Sequence, residues 1–272
     1  PLVRPQLAVG PRKGIMGFTA TIVNTGYAPT MAHPLAAEMA PTGTLRAAIN
    51  MSNFLLVTGK TASGDPEGVA PSMAALFAER LGVPVQYHPY ANPGLLADSS
   101  AEDLWDVGFV GAEPQRATYV NFTAAYVEIE ATYMVREGSP FQKCADVDSP
   151  GTRIAVSARA AYDLWLERNI KHAEVSRVSG LDASFDLFVA EKMDALAGLR
   201  PKLIDDVRKL PGARLLDDKF TAVQQASCTK KGRDAGFKLL SGFIEEMKAD
   251  GTVQRLIDKF GVTGRLTVAP PA

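Results

Sequence analysis

NFTAAYVEIEATYMV, residues 121–135, is the stretch of this chain that decides its fold. Apolar and aromatic side chains punctuate it at Phe122, Tyr126, Ile129, Tyr133 and Val135. The pattern predicts one long extended segment with no helix after it, whereas the chain on either side alternates between short strands and helices. The segment therefore divides the sequence into two α/β series.

The series before this segment begins at Gly43. A helix is predicted over Val69–Leu81, with Pro71 near its start and Gly82 just past its end. The elements around it are predicted to be the strands Leu45–Ile49 and Val83–Tyr87, a helical segment within Leu95–Leu104, and the strand Val107–Val110. This alternation implies parallel strands covered by helices on both faces.

The series after the segment repeats the alternation. Its predicted elements are the strands Arg153–Val156, Glu174–Val178 and Met193–Leu196, the helix Ala160–Arg168, and a helix through Phe188 that Asp182 caps. A second extended run, Ala222–Thr229, then leads to two C-terminal helices that Asp250-Gly251 separates. Two α/β series joined by two extended crossings predict a two-lobed α/β protein. Its ligand cleft would lie between strand ends and helix starts.

The composition argues against several classes of function. The chain has 272 residues, 46% of them hydrophobic, and a formal net charge of -1, so no clustered basic face for nucleic acid is expected. Cys144 and Cys228 form no CxxC pair, and the three histidines lack metal-ligand spacing. We therefore expect no metal and no cofactor. The alternatives for the two cysteines are one disulfide and two free, partly buried thiols, and we expect the free thiols. No apolar run reaches the length of about eighteen residues that predicts a transmembrane helix.

Residues 1–42 precede the first α/β series, and two interpretations of this segment are open. Arg12 and Lys13 precede the apolar stretch Ile15–Val23, and small residues follow it. This order resembles a short secretory signal. The alternative is a loosely attached extension.

Seven landmarks in a fixed order carry a resemblance to a known family. They are Gly43–Arg46, Gly68–Val83, Trp105–Gly108, Glu113-Pro114-Gln115-Arg116 with Asn121–Tyr126, Arg136–Pro140, Lys192–Ala195 and Lys248–Thr252. Through them the chain from Gly43 to about Gly264 resembles the periplasmic amino-acid-binding proteins of ABC transporters. These are the extracellular solute-binding proteins of the polar-amino-acid type.

The resemblance implies a type II periplasmic-binding-protein fold. Lobe one would comprise residues 43–127 and 228–272, lobe two residues 128–227, and the hinges would lie at Val127–Ala131 and Val223–Ser227. It also implies a monomeric, non-enzymatic protein of the periplasm or the extracellular space. Such a protein closes around a small-molecule ligand and delivers it to an ABC-transporter permease.

The resemblance also implies the residues of the site. Arg116 falls where the family's arginine grips the ligand α-carboxylate, and a guanidinium suits this role because it pairs with a carboxylate in bidentate fashion. Ala160, Ala161 and Tyr162 form the start of a lobe-two helix, whose backbone N–H groups would meet the same carboxylate. The alternatives are a solvated helix arginine for Arg116 and a core position for Tyr162. The other expected cleft positions are Asn50, Asn53, Asn92, Gly111, Ser157, Leu199 and Arg200.

Several of these positions depart from the family's pattern. Where the family has an aspartate, two aromatic residues and a hydroxyl residue, this chain has Asn50, Asn53, Asn92 and Gly111. The carboxylate that usually holds the ligand ammonium is replaced by Leu199, with Arg200 beside it. An ammonium buried there would be unpaired, which is strongly disfavoured. We therefore expect a small organic acid or a dicarboxylate, held by Arg116 with help from Arg159 or Arg200, in preference to a zwitterionic amino acid. The alternative for Arg200 is that it begins a surface helix with Pro201.

Two other functions stay open. A few relatives of the family, the cyclohexadienyl dehydratases, are enzymes on the same fold, and their chemistry needs a positioned general acid. The expected cleft positions offer no such acid. Glu128 and Glu130 lie on the crossing and are hinge residues first and candidate acids second. The second alternative is a ligand-sensing module, because the same two-lobed unit serves in signalling systems.

Overall fold

Twelve strands and nine α-helices make up residues 32–272, the part of the chain that this computed structural model describes. The strands are β1 Leu45–Asn50, β2 Gly59–Lys60, β3 Pro66–Glu67, β4 Val85–Tyr90, β5 Val107–Gly111, β6 Val120–Val135, β7 Arg153–Ser157, β8 Glu174–Val178, β9 Ala195–Leu199, β10 Arg214–Leu215, β11 Thr221–Lys230 and β12 Thr267–Val268. The α-helices are α1 Ala36–Met39, α2 Val69–Leu81, α3 Pro93–Asp98, α4 Pro114–Ala117, α5 Ala161–Asn169, α6 Leu181–Ala190, α7 Arg200–Val207, α8 Asp234–Ala249 and α9 Thr252–Lys259. Short 3-10 helices lie at Ser99–Ala101 and Cys144–Val147.

Ten of the strands form one mixed sheet in the order β4-β1-β5-β11-β6-β9-β7-β8, with β10 and β12 paired to β6. The strands β4, β1 and β5 are mutually parallel, and so are β9, β7 and β8. We call these two groups the first half and the second half of the sheet. Between them β11 and β6 run antiparallel to each other, and each also pairs antiparallel with the half next to it.

The long extended stretch predicted from the sequence is the single strand β6, which connects the two halves. Its first part pairs with β11, and its last residues, from Ala131 to Val135, pair with β9. The second predicted crossing is β11. Its pairing with β6 shifts register on both sides of Ala226. The prediction of two α/β series joined by two extended crossings is confirmed.

Most predicted elements are present, with shifted ends. The helix α2 has the predicted bounds and ends at Gly82, whose φ of 71° is in the left-handed region that favours glycine. The predicted helical segment Leu95–Leu104 is shorter and begins earlier, because Pro93 starts α3 and the Asn92 side chain caps it. The strand predicted at Met193–Leu196 begins two residues later and ends three residues later, as β9.

The prediction that Asp182 caps α6 is wrong. The N-cap residue is Gly180, with a φ of 108°, and no side chain caps this helix. Asp182 lies in the first turn instead, where its carboxylate pairs with the Lys202 ammonium at 3.1 Å. A glycine takes the cap position because its positive φ would strain other residues.

Part of the segment set apart as residues 1–42 belongs to the core. Ala36–Met39 form a helix, the Met39 side chain is fully buried, and the Glu38 carboxylate accepts a hydrogen bond from the Gly236 N–H at 3.0 Å. Residues 32–272 form one compact unit. The apolar stretch interpreted as a signal, Ile15–Val23, lies outside the described residues.

Two further expectations concern this described part of the chain. Cys144 and Cys228 are both buried free thiols, as predicted. Within residues 32–272 no helix combines the length and the apolar character needed to cross a membrane.

Candidate ligand-binding site

A cavity of about 210 Å³ lies between the two halves of the sheet. Four strands reach it with their last residues, which are Asn50 of β1, Gly111 of β5, Ser157 of β7 and Leu199 of β9. Open α/β sheets bind ligands at such carboxyl ends, because the helices that follow the strands begin there. The other lining residues are Ser52, Asn53, Ala91, Asn92, Pro93, Arg116, Ala158, Ala160, Ala161, Tyr162, Ser179, Gly180, Leu181, Val223 and Gln225.

The sequence-predicted site residues can be compared with this lining. The structure brings together Asn50, Asn53, Asn92, Gly111, Arg116, Ser157, Ala161, Tyr162 and Leu199, and it leaves Arg200 out. Sequence reasoning missed Ser179, Gly180 and Leu181, which connect β8 to α6, and Gln225 on β11. A signal for the first three was present, since they follow a predicted strand in the same way as Ser157 does.

Arg116 is the central side chain of the site. It lies in α4, directly after β5, and only 5% of the residue is exposed, which excludes the alternative of a solvated helix arginine. Its Nη1 donates to the Gly111 carbonyl at 2.7 Å and its Nη2 donates to the Arg159 carbonyl at 2.8 Å. These bonds use two of the five N–H donors of a guanidinium. No carboxylate among residues 32–272 forms an ion pair with it.

The Arg116 charge is buried without a counter-ion. Burial lowers the pKa of Arg116 to about 10, and the Glu113 carboxylate opposes this shift in part. The guanidinium therefore stays protonated at neutral pH. Glu113 is bonded to a different cation, the Arg168 guanidinium, at 2.6 Å. Because an unpaired buried charge is costly, an anion in the cavity would be stabilised by Arg116.

Gly111 permits the close approach of the two halves. A Cβ placed on Gly111 would lie 2.9 Å from the Ala161 Cβ and 3.2 Å from the Val223 Cγ1. Real Cβ atoms do not approach neighbours so closely, so any side chain at this position would push the start of α5 away from β5. A glycine here therefore lets Arg116 reach the carbonyl of Arg159.

The start of α5 forms the opposite wall of the cavity. Arg159 has a φ of 61°, and its N–H donates to the Asp163 carboxylate at 2.7 Å. The other Asp163 oxygen accepts from Arg177 Nε at 2.8 Å, which fixes the turn. The N-cap residue Ala160 has no side chain that could cap the helix. The first N–H groups of α5 therefore remain available as donors, since the first helical turn has no intrahelical acceptors for them.

Arg200 lies in a different depression, which we call the Glu130 groove. This groove is lined by Glu128, Glu130, Arg200, Pro201, Ile204, Asp205, Arg208, Lys219, Ala222, Gly264, Arg265, Leu266 and Thr267. Arg200 Nε donates to the Glu130 carboxylate at 2.9 Å, and its Nη atoms donate to the carbonyls of Leu216, Asp217 and Asp218. The expectation that Arg200 helps to hold a ligand in the cleft is not supported. Glu128 and Glu130 line this groove too, rather than the cavity.

Hydrogen-bonded ion pairs connect the two sides of the cavity. The Arg159 guanidinium, which follows β7, pairs with the Asp98 carboxylate at the end of α3 at 2.6 Å. The Arg168 guanidinium of α5 bonds both Glu113 and Gln115, which precede and begin α4. The Arg159 contact lies beside the start of α5 and the Arg168 contacts lie at its last turn, so both ends of the helix are held against elements that follow strands of the first half. The Arg159 guanidinium is therefore paired with Asp98, and Arg159 is not part of the cavity lining.

Within residues 32–272 no group of three or more His, Cys, Asp and Glu side chains has the arrangement of a metal site. The lining of the cavity consists instead of one cation, three asparagines, a glutamine, serines and apolar side chains. Such a surface is suited to a small polar organic molecule.

Comparisons with known proteins agree with this geometry. Residues 46–263 match the family model of the bacterial extracellular solute-binding proteins, family 3. The chain is 25% identical to the L-cystine-binding protein TcyJ of Escherichia coli strain K12 over 201 residues, which cover 72% of this chain and 75% of that protein. The chain belongs to this family, so the resemblance inferred from the sequence is confirmed.

Solved structures show the same fold at lower sequence identity. One is an ancestral amino acid-binding protein that is a precursor of cyclohexadienyl dehydratase, with 20% identity and a TM-score of 0.66 over 82% of this chain and 97% of that one. Another is a substrate-binding protein of an amino acid ABC transporter from Streptococcus pneumoniae bound to L-arginine, with 17% identity and a TM-score of 0.66 over 82% of this chain and 97% of that one. The predicted type II periplasmic-binding-protein fold is confirmed.

Proposed function

We propose that this protein is the solute-binding component of an ABC importer and holds a small carboxylate-bearing solute between its two lobes. It would work outside the cytoplasm, in the periplasm or the extracellular space, and deliver the solute to a membrane permease. The observation that carries the proposal is Arg116, a protonated guanidinium that is 5% exposed, lines the cavity and has no carboxylate partner within residues 32–272.

The opposite wall supports the same ligand chemistry. A carboxylate between Arg116 and the start of α5 would meet a guanidinium on one side and uncapped N–H groups on the other. Both are donors, and the positive end of a helix dipole favours an anion. Each carboxylate oxygen would then receive a strong hydrogen bond, charge-assisted where the guanidinium donates.

Closure of the two lobes around a ligand is consistent with a role in selective transport. We place lobe one at residues 43–127 and 228–272 and lobe two at residues 128–227, with the hinges where β6 and β11 cross. The register shifts beside Ala226 fall within the proposed hinge Val223–Ser227, where ladder bonds are already irregular. The pairs Asp98–Arg159 and Glu113–Arg168 then join one lobe to the other. A ligand that contacts both lobes would favour the closed form, which the permease would recognise.

The described lining of the cavity contains no carboxyl group or histidine that would support the enzyme alternative. An elimination would need a general acid beside the carboxylate clamp. Glu128 and Glu130, the candidate acids, line the Glu130 groove, and Glu130 is paired with Arg200 and Lys219. The side chains that line the cavity fit binding better than proton transfer.

The proposal is tested by comparing carboxylates with their neutral primary amides. Thermal unfolding would be measured with a panel of L-amino acids and their 2-oxo counterparts, each offered also as the amide. A ligand at 100 times its Kd should stabilise the protein by about 2.7 kcal/mol. We expect stabilisation by at least one carboxylate and none by its amide. Equal stabilisation by acid and amide would refute the role of a carboxylate.

A further inference from the structure

The charge of the cavity lining is unbalanced. Arg116 is the single charged side chain among the described residues that line the cavity, and no aspartate or glutamate of residues 32–272 is part of that lining. Asn50, Asn53, Asn92 and Gln225 are neutral, and Tyr162 is a phenol whose pKa burial raises. The lining therefore carries one positive charge.

The carboxylates around the cavity are already paired with other cations. Glu113 is bonded to Arg168, Asp98 to Arg159, and Asp163 to Arg177. Each of these distances is 2.8 Å or less. None of the three carboxylates lines the cavity, so none of them offers a free oxygen to a cation placed inside it.

The three asparagines present donors to the cavity. Each uses its side-chain oxygen to accept a nearby backbone N–H: Asn50 from Ser52 at 3.2 Å, Asn53 from Leu55 at 3.2 Å and Asn92 from Leu95 at 2.9 Å. A backbone N–H can only donate, so these bonds fix which end of each amide is the oxygen. The three NH2 groups are left as donors to a ligand. The Asn50 oxygen already accepts two bonds from Ser52, and the oxygens of Asn53 and Asn92 each keep one lone pair, which carries no negative charge.

Two helix starts add further donors. The N-cap residues Ala160 of α5 and Gly180 of α6 both line the cavity, and neither helix has a side-chain cap. The serine hydroxyls and Gln225 can donate or accept and therefore do not discriminate between ligands. The groups of the lining that only donate are Arg116 and the two helix starts, and no group of the described lining supplies a negative charge to a cation.

From this donor set we infer that the ligand is a monocarboxylate without an ammonium group, whose second polar group accepts hydrogen bonds as a 2-oxo group does. The inference rests on the proposed function, because it takes Arg116 as the partner of the carboxylate. An ammonium in this cavity would face donors and a guanidinium and would lose its hydration without gaining a counter-ion. A 2-oxo oxygen has no charge to desolvate and would accept from an asparagine NH2.

One carboxylate is favoured over two. The two other arginines considered for the ligand, Arg159 and Arg200, are paired with Asp98 and Glu130. A second carboxylate would therefore be buried against the apolar side chains of Leu181, Leu199 and Val223 or against neutral amides. The cavity volume of about 210 Å³ lies below the range of about 300–1,000 Å³ that is usual for drug-sized ligands. A small monocarboxylate with an apolar tail fits this space.

The test is a calorimetric titration of the full chain with matched pairs that differ only at the second carbon. The probes are pyruvate and L-alanine, 2-oxoisovalerate and L-valine, 2-oxoisocaproate and L-leucine, and phenylpyruvate and L-phenylalanine. The pair 2-oxoglutarate and L-glutamate tests dicarboxylates. We expect at least one 2-oxo monocarboxylate to bind roughly tenfold or more tightly than its amino acid. We also expect it to bind more tightly than either dicarboxylate.

A charge introduced at Leu199 provides an independent test. Leu199 lines the cavity and is the N-cap residue of α7, a position that accepts aspartate well. The preference for the 2-oxo acid is compared between Leu199→Asp and Leu199→Asn, which differ in charge and hardly in shape. We expect the Asp variant to shift the preference toward the amino acid by about tenfold relative to the Asn variant.

The outcomes separate this inference from the proposed function. Tighter binding of an L-amino acid than of its 2-oxo counterpart, lost in Arg116→Met, would overturn the inference and leave the proposed function standing. Equal preference in the Asp and Asn variants would also overturn it. If no member of the panel binds the wild type, the proposed carboxylate site itself is wrong.

Discussion

The cavity and the Glu130 groove each contain an arginine in a similar local setting. Arg116 and Arg200 both lie in helices that directly follow a strand of the sheet, and a proline precedes or follows each of them. Yet Arg116 is bonded to two carbonyls and no carboxylate, whereas Arg200 bonds Glu130 and three carbonyls. An arginine in a similar local setting is therefore left free for an anion in the cavity and is bonded within the fold in the groove. What differs between the two arginines is the set of hydrogen-bond partners of each guanidinium.

The largest expected effect is a difference in ligand affinity between variants of the two arginines. Arg116→Met removes the partner of the ligand carboxylate and should weaken binding by about 2–5 kcal/mol. The matched variant Arg200→Met lies outside the cavity and should bind within about twofold of the wild type. Calorimetry with a carboxylate that binds the wild type measures both. Equal losses in the two variants would mean that the two regions do not differ in function.

The second prediction concerns the stability of the fold, to which we expect Arg200 in the Glu130 groove to contribute. Arg200→Met leaves the carbonyls of Leu216, Asp217 and Asp218 without their charged donor, so the free energy of unfolding should fall by about 1–2 kcal/mol. Glu130 is 47% exposed in its side chain, so Glu130→Gln should cost less than about 1 kcal/mol. Urea unfolding of the two single variants and the double variant would measure both contributions. A larger loss in Glu130→Gln would show that the ion pair, and not the carbonyl bonds, holds Arg200.

The third prediction concerns the pairs that join the two sides of the cavity. The Asp98–Arg159 pair has side chains that are 59% and 52% exposed, so Arg159→Ala should weaken ligand binding by only about 0.2–1 kcal/mol. The effect should shrink as salt is added, because exposed charges are screened. The control is Arg80→Ala, whose similarly exposed pair with Glu246 connects α2 to α8 and touches no cavity residue. An equal loss of ligand affinity in Arg80→Ala would show that the Asp98–Arg159 pair has no particular role in closure of the lobes.

The smallest expected effect is the response of binding to pH. Arg116, with a pKa that burial lowers to about 10, must be protonated to hold an anion, so affinity is present below that pKa and is lost as the pH rises through it. Between about pH 6 and pH 9 we expect a flat profile for a carboxylate that stays ionised, because its usual pKa is about 4. A step near pH 6.5 would indicate a histidine at the site, which the described lining does not contain.

Much of the fold could be predicted because apolar periodicity and glycine and proline positions are local signals. The helix Val69–Leu81 and the strand Glu174–Val178 have the predicted bounds. The site followed from the same signals, since residues at the ends of predicted parallel strands meet at one edge of a sheet. Asn50, Gly111, Ser157 and Leu199 are all such last residues.

The misplacement of Arg200 has a simple geometric cause. Consecutive residues of a strand point to opposite sides, and Leu199 and Arg200 lie at the junction of β9 and α7. Leu199 therefore lines the cavity while Arg200 lines the Glu130 groove. Which of the two residues lines the cavity depends on a register of one residue, which the pattern of apolar residues does not fix.

The pairing of charges could not be predicted either. Asp98 and Arg159 are 61 positions apart, and Glu130 and Arg200 are 70 positions apart. Their contacts depend on how the two series approach each other in three dimensions, and local sequence carries no signal for that. These pairs engage the two other arginines considered for the ligand, and Arg116 is the one cation in the described lining of the cavity.

The most direct test of this account is a crystal structure of the protein with a tightly bound monocarboxylate. We expect the ligand carboxylate between Arg116 and the start of α5, with its oxygens about 2.7–3.2 Å from the guanidinium and from the first N–H groups of that helix. A ligand whose carboxylate lies elsewhere in the cavity, with Arg116 bonded only to the carbonyls of Gly111 and Arg159, would contradict the central claim.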